Sequence, residues 1–548
     1  MHLINIVFVC DVRFVKFVKN ATGKADEADD GGADSSSTIS YERIKSNPAP
    51  AKSYQAIESG QSSTDTAANG LAIISGGTVD GAPAASSATY TLDEAIEAVG
   101  FGRFQVKLSM ITGLAWMADA MEMMILSILS PALHCVWGLN SWKQAWLTTV
   151  VFLGMTISSV LWGNIADRYG RKKELILCGL ITFAFGVFSA FAPNFYWLIF
   201  LRFLVGFGVG GVPQSMTLYA EFLPSKHRAR CIMLMQIFWV LGTLFEVLLA
   251  LAVMKRLGWT YLLGLSAIPL LLFSFSCAWL PESARYHIAS GQTQLAQQTL
   301  ERVANENKKS LPPGTLVASQ QTDKVKRGRV IDLFTKDLWI TTIFLWFIWF
   351  ANSFAYFGIV LLTTELFQSA NSCHGGTVEN TKEVAGCHML NTKDYVDVLW
   401  TTIAEIPGLI FTVFVIEVIG RRNTLALDFL VFTIFTWALF ACIGRTTLTA
   451  FIFVARAFIS AAFQAAYVYT PEVYPTITRA VGLGSSSGMA RVGAIITPFV
   501  AQVMLKYSAN MTIGIYGAVS LVAAIASLLL PIETKGRALQ DHQVSSVH

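Results

Sequence analysis

Two carboxylates three residues apart, Asp119 and Glu122, lie inside an apolar stretch that also carries Trp116. Arg202 and Arg491 lie in other apolar stretches, as do Glu246, Glu405 and Arg456. A charge in hydrocarbon costs about 2.5–3.5 kcal/mol on insertion scales, so it faces a cavity or a partner. At spacing three, Asp119 and Glu122 share one face of a helix. Two close carboxylates in a low dielectric do not both ionise easily. That is what a residue needs if it must load and release a proton. Asp119 sits about 11 residues, or roughly 16 Å, from the inner end of its stretch, near mid-membrane. Arg491, in Ser487-Gly488-Met489-Ala490-Arg491-Val492-Gly493, sits at the same depth. Its planar guanidinium suits bidentate binding of a carboxylate, and small neighbours leave room for a ligand. Static pairing within the protein is the alternative for both residues. Glu405 precedes Pro407-Gly408, where a broken helix can aim it at a cavity. Trp116 and Tyr356, with Trp239 and Trp349, are candidates to line a pathway, against the commoner packing role of single aromatics. No nucleophile–base set, metal-ligand cluster or phosphate-binding loop is evident, so enzyme chemistry, a metal and a cofactor are not expected.

These residues need apolar helices to hold them, and composition supplies them. Of 548 residues, 53% are hydrophobic and 14% charged, with a mean hydropathy of +0.52. Soluble chains average about 25% charged. Eight Cys are too sparse for a disulfide scaffold. A net charge of +4 without a basic aromatic stripe argues against nucleic acid. A polytopic helical membrane protein remains. Segments long enough to span fall at 108–131, 142–165, 174–192, 197–219, 232–253, 259–280, 339–362, 396–419, 425–443, 448–469, 480–505 and 513–530. Arg168, Arg171, Lys172, Lys173, Lys226, Arg228, Arg230, Arg421, Arg422 and Arg479 cluster at helix ends on one side. That side, with both termini, is expected in the cytoplasm. Cys373 and Cys387 share the longest outer loop, on the oxidising side, and are candidates for a disulfide. Residues 20–90, rich in Ser, Gly, Ala and Asp, are expected to be disordered. Residues 1–19 read as a weak surface anchor or an incidental start rather than a signal peptide. Residues 91–107 are expected to form a short helix on the membrane face.

The chain repeats itself at an offset of about 250. Asp167-Arg168-Tyr169-Gly170-Arg171 after span two is echoed by Glu417-Val418-Ile419-Gly420-Arg421 after span eight. Arg202 in span four has its counterpart in Arg456 in span ten. Glu221-x-x-Pro224-x-x-x-Arg228 is echoed by Glu472-x-x-Pro475-x-x-x-Arg479. Pro281-Glu282-Ser283 is echoed by Pro531-Ile532-Glu533-Thr534. Two six-helix halves place a substrate site between them near mid-membrane. The charges Asp167, Arg168, Arg171, Glu221, Arg228, Glu417, Arg421, Glu472 and Arg479, with Gly170 and Gly420, read as a gate of rearrangeable ion pairs.

Over about residues 105–540 the chain resembles the major facilitator superfamily. Gly163-x-x-x-Asp167-Arg168-x-Gly170-Arg171-Lys172 is similar to its signature between the second and third helices. Arg202-x-x-x-Gly206-x-Gly208-x-Gly210, Pro281-Glu282-Ser283 and Pro531-x-Glu533-Thr534-Lys535-Gly536-Arg537 resemble the sugar-porter and organic-ion branches. A short first outer loop, an enlarged one after span seven and Trp116-Met117-Ala118-Asp119-Ala120-Met121-Glu122 resemble the synaptic vesicle 2-related group. The resemblance implies Asp119–Arg202 as a proton-coupling pair, with Glu122 beside it. It implies that Arg491 favours a substrate with an anionic group.

The expectation is an all-α membrane protein of twelve helices with the major facilitator superfamily fold. Its parts are a tail, 1–107; a first half, 108–280; a linker, 281–338; a second half, 339–531; and a tail, 532–548. The expected function is proton-coupled, alternating-access transport of a small organic solute, anionic or zwitterionic. The expected protein is monomeric, in a vesicle or plasma membrane, with no enzyme activity. The alternatives are a facilitative uniporter and a non-transporting vesicle-membrane binding protein. Arg491, Asp119, Glu405, Trp116 and Tyr356 are the expected substrate contacts.

Overall fold

The computed structural model describes residues 89–317, 329–368, 390–441 and 443–535. Residues 1–19, most of 20–90, Cys373 and Cys387 lie outside the described residues, and so do the expectations placed on them. Cys135, near the C-terminal end of span one, is disulfide-bonded.

Among the described residues, eleven helices are long and apolar enough to cross a membrane: Arg103–Trp137, Ser141–Tyr169, Arg171–Ala190, Phe195–Glu221, Arg230–Val253, Trp259–Trp279, Trp339–Phe367, Thr392–Ile419, Arg445–Val473, Ile477–Tyr507 and Ala509–Leu528. Arg421–Ala438 fills the ninth place between them. It is less apolar because its first turn carries Arg421, Arg422 and Asn423 and its middle carries Asp428. Side chains cap several starts: Asn140 accepts the Lys143 amide at 2.9 Å and Asn194 the Trp197 amide at 3.0 Å. Bulky side chains such as Val160, Tyr196 and Phe275 stand more than half exposed on the outside of the bundle, where lipid covers them.

Span five breaks at Met235 and span eight at Ala404, just before Glu405, and three further spans are interrupted next to a proline. Span four stops at Val209, turns through Gly210–Val212, and resumes at Pro213. Span six breaks at Ala267, beside Pro269. Span eleven passes after Pro498 into a wider turn, Phe499–Met504. Proline lacks the amide that an unbroken helix needs there. The Gly206-x-Gly208-x-Gly210 run packs span four closely on its neighbours. A methyl group at Gly206 would meet the Val151 backbone, and one at Gly208 would meet Thr182.

The two halves pack by one plan. In the first half, span two lies on span four, span one on span five and span three on span six. In the second, span eight lies on ten, seven on eleven and nine on twelve. Between halves, span two meets span eleven and span five meets span eight. The linker contains helices Ala284–Ala289 and Thr293–Asn307. Against it packs Leu92–Val99, started by a capping box between Thr91 and Glu94. Ile96 joins Ala284, Ala296, Leu300 and Leu316 in a small separate core. Thr89–Tyr90 pairs in parallel with Thr315–Leu316. The last part of the expected tail is thus built into the linker.

Candidate functional site

A cavity of about 150 Å³ lies between the halves. Spans one, two, four and five of the first half wall one side. Spans seven, ten and eleven of the second wall the other. Trp116, Asp119, Trp239, Tyr356, Tyr467 and Arg491 all face it. Four of the five expected substrate contacts therefore converge here. Glu405 does not line the cavity; it stands behind Tyr356, whose hydroxyl donates to its Oε1 at 3.0 Å.

Asp119 and Arg491 come from opposite halves and lie within electrostatic reach of each other. They form no ion pair among the described residues. Arg491 instead donates from Nη1 to the Met155 carbonyl of span two. Further bonds between the halves gather toward the end away from the Asp167 loop. Thr149 donates to the Ile495 carbonyl at 3.3 Å, and Gln502 to Ser130 at 2.9 Å. The Trp142 and Trp146 rings rest 5.9 and 5.5 Å from Phe499.

Arg202 corrects one expectation. It bonds Glu122, not Asp119. Residues at spacing three are about 60° apart around a helix, since each residue turns 100°. That rotation aims Asp119 at the cavity and Glu122 at span four. Arg202 is 1% exposed. Glu246 of span five is also fully buried beside this pair, and both its carboxyl oxygens accept from Ser266 at 2.8 Å. The first half therefore surrounds one arginine with two acids. The second half pairs Arg456 with a single acid, Glu405, at 3.0 Å, both fully buried. A relay reaches this pair from across the cavity. Trp239 donates to the Tyr356 hydroxyl at 2.8 Å, and Tyr356 donates to Glu405.

The repeated motifs form matching networks. Arg171 bonds Asp167 at 2.8 Å and lies 3.5 Å from Glu221. Arg421 pairs with Glu417 at 3.2 Å and Glu472 at 3.1 Å. Both loops turn on a glycine with positive φ, +103° at Gly170 and +89° at Gly420. An acid at the end of the sixth span of each half caps the third span of that half, just after the glycine loop. Glu282 accepts the Arg171 amide at 2.8 Å; Glu533 accepts the Arg421 amide at 3.0 Å. Ser283 donates to Glu221, and Thr534 donates to Glu472 at 2.6 Å. Arg228 bonds the Leu223 carbonyl at 3.0 Å and Arg479 the Tyr474 carbonyl at 3.4 Å. Burial, then the like charge of Arg285, holds the Arg228 guanidinium below its ordinary value; Arg479 of the other half adds to this. Arg168 stands outside these networks, its guanidinium 5.5 Å over the Tyr169 ring. The Arg171 pairs with Asp167 and Glu221 lie in the first half, and the Arg421 pairs with Glu417 and Glu472 lie in the second.

The sequence matches the family model described as "Sugar (and other) transporter" over residues 122–545. The chain belongs to that family of the major facilitator superfamily. It is a multi-pass membrane transporter of the sugar and organic-solute type, not an enzyme. It is 57% identical over 459 residues to the synaptic vesicle 2-related protein of Xenopus laevis, covering 83% of each chain. It is 37% identical to the organic cation/carnitine transporter 7 of Arabidopsis thaliana, over 82% of this chain and 96% of that one. Its fold matches the xylose transporter XylE of E. coli in a partially occluded inward open conformation. The TM-score is 0.64 at 16% identity, covering 80% of this chain and all of the other.

For a member of this family, the sequence reading left several residues without a role. Glu282, Ser283, Glu533 and Thr534 were visible as a repeated motif, and the repeat was the available signal for their shared task. Tyr467 and the bonding of Glu246 to Ser266 carried no such signal. Glu174 and Asp428 are further buried acids, with carboxyl oxygens unpartnered among the described residues.

Proposed function

We propose that the chain is a secondary active transporter that moves a small organic solute bearing an anionic group, driven by protons through alternating access. The observation that carries this is the cavity between the halves with Arg491 exposed to it. A solute bound there touches both halves, so rocking one half on the other exposes it to each side in turn. Arg491 holds the anionic group through the nitrogens not given to Met155.

The proton is carried by the Glu122–Arg202–Glu246 cluster. With both acids ionised, it would bury one uncompensated negative charge, which a low dielectric penalises heavily. A single proton shared by the two acids removes that charge. Glu122 is on the same helix as Asp119, so proton loading and cavity occupancy act on one rigid element. Asp119 is thereby freed for the solute.

The charged networks at Asp167 and Glu417 form a gate whose ion pairs rearrange as the halves rock. Arg228 and Arg479, one from each half, repel where the halves meet at that end. This end faces the cytoplasm with both termini, as the clustered basic residues favour. A vesicle membrane is the proposed location, as the names of the relatives suggest, and the working unit is a monomer.

The test is uptake into proteoliposomes holding the purified protein, with and without an inward-acid pH gradient. Small organic anions, zwitterions and cations are supplied in turn. Accumulation of an anion-bearing solute only with the gradient is expected. Equal filling with and without it, to no more than the outside concentration, would leave a uniporter. No flux for any solute would leave a binding protein.

A further inference from the structure

The charges facing the cavity narrow the solute further, on the transporter reading above. Asp119 is 9% exposed, and its Oδ1 has no hydrogen-bond partner among the described residues. Trp116, one turn earlier on the same helix, likewise leaves its Nε1 without a partner. Arg491 spends only Nη1 on protein among the described residues. Tyr467 lies within electrostatic reach of both charges. An unused acceptor, an unused donor and an underused guanidinium thus share one small cavity.

Consider what each class of solute does to these charges. A simple anion neutralises Arg491 but brings a like charge toward Asp119, which repels it in a low dielectric. A simple cation does the reverse. A neutral polyol leaves both ions without a counter-charge. A zwitterion meets both with charge-assisted bonds and keeps the cavity electrically neutral. The wall beside Asp119 is aromatic. The Trp116 and Trp239 rings lie 5.9 Å apart, and those of Trp239 and Tyr356 6.5 Å. Ring faces attract a cation and accept its methyl groups, which favours an alkylated nitrogen at this wall.

We infer that the transported solute is a small zwitterion of the N-alkylated amino-acid type, its cationic nitrogen held by Asp119 and the Trp116–Trp239–Tyr356 wall and its carboxylate held by Arg491.

The test uses one zwitterion and two shape-matched partners on the purified full-length protein. The zwitterion is 4-(trimethylammonio)butyrate. In 5,5-dimethylhexanoate carbon replaces the nitrogen, which removes only the positive charge. In trimethyl(4-methylpentyl)ammonium an isopropyl group replaces the carboxylate. D-Xylose serves as the polyol. Thermal stabilisation by each is titrated. We expect the zwitterion to act at concentrations at least tenfold lower than either partner. Asp119→Asn should erase that preference and bind 5,5-dimethylhexanoate as well as the zwitterion; Asp119→Glu should restore part of it. Arg491→Gln should weaken both carboxylates.

Equal binding of 5,5-dimethylhexanoate and the zwitterion by the unmodified protein overturns the zwitterion and leaves the anion reading standing. Preference unchanged in folded Asp119→Asn, stabilisation by xylose alone, or by none of the four, also overturns it. Carboxylate binding that survives Arg491→Gln overturns instead the anion reading on which the inference rests.

Discussion

Each half buries one arginine on the same helix of its repeat, and the two halves neutralise it differently. Arg202 has Glu122 as a bonded partner and Glu246 close by. Arg456 has Glu405 as its bonded acid, and the Tyr356 hydroxyl donates to the same Oε1 that Arg456 meets. The Arg456 pair is charge-balanced as it stands; the Arg202 cluster is balanced only when one of its acids holds a proton. Near-identical packing thus accompanies a one-to-one ion pair in one half and, on the proposed function, a proton-carrying cluster in the other. The difference lies in one extra carboxylate, and helix arrangement alone would not reveal it.

The comparison is tested most severely by removing each arginine. Arg202→Leu leaves two buried acids without a counter-charge and should cost about 3–5 kcal/mol, abolishing transport. Arg456→Leu leaves one acid, which keeps its bond from Tyr356, and should cost less. Unfolding midpoints in detergent measure both. Equal losses would mean that the second acid contributes nothing.

Proton coupling separates the halves next. Glu246→Gln removes the excess acid, so pH-driven accumulation should vanish while solute exchange persists, because exchange needs no net proton release. Glu405→Gln should leave the pH dependence of uptake intact. The reverse pattern would move the proton site to the second half.

The motif loops offer a finer contrast. Gly170→Ala and Gly420→Ala place a side chain at positive φ, which costs about 1–3 kcal/mol. The added methyl would press hard on Glu282 at the first site, whereas at the second it would meet the Glu533 carboxyl at 2.9 Å. Gly170→Ala should therefore lower the unfolding midpoint more. An equal or opposite order would show that the first network is not the tighter one around its glycine.

The smallest effect belongs to a feature with no counterpart in the second half. The Ser225 amide donates to Glu97 at 2.6 Å, and this bonding holds the Glu97 carboxyl below its usual range. A lowered carboxylate value favours the docked helix above the ordinary glutamate range, about pH 4.3, and that contribution fades as pH falls through the lowered value. Hydrogen exchange of Leu92–Val99 should therefore quicken below about pH 4. Glu97→Gln should remove the pH step. A step that survives in Glu97→Gln would assign it to another group, such as Asp93, which pairs with Arg285.

The chain's periodicity already announced the helices and the repeat, because an apolar stretch of that length has few other stable forms in hydrocarbon. It announced the motif networks nearly as well. Asp167 and Glu417 stand four residues before the arginines they meet, so the repeat doubled the signal, whereas Glu221 and Glu472 reach the same arginines from another helix. The acids of the spans were harder. Asp119 and Glu122 differ by less than one helical turn, and nothing in their spacing says which faces Arg202. The interruption of span four was also hidden, since Gly210, Gly211 and Pro213 are tolerated in unbroken membrane helices.

What the sequence determined by itself was therefore everything local or periodic: the spans, the twofold repeat, the charged loops and the short list of buried charges. What only the tertiary structure decided was partnership. It joined Glu122 to Arg202, set Glu246 beside them, turned Asp119 toward Arg491 across the cavity, and placed Tyr356 between Trp239 and Glu405. The physical reason is that a buried charge takes the partner that helix rotation and crossing bring within a few ångströms. Those depend on how the helices pack together, and no single helix records that in its own sequence.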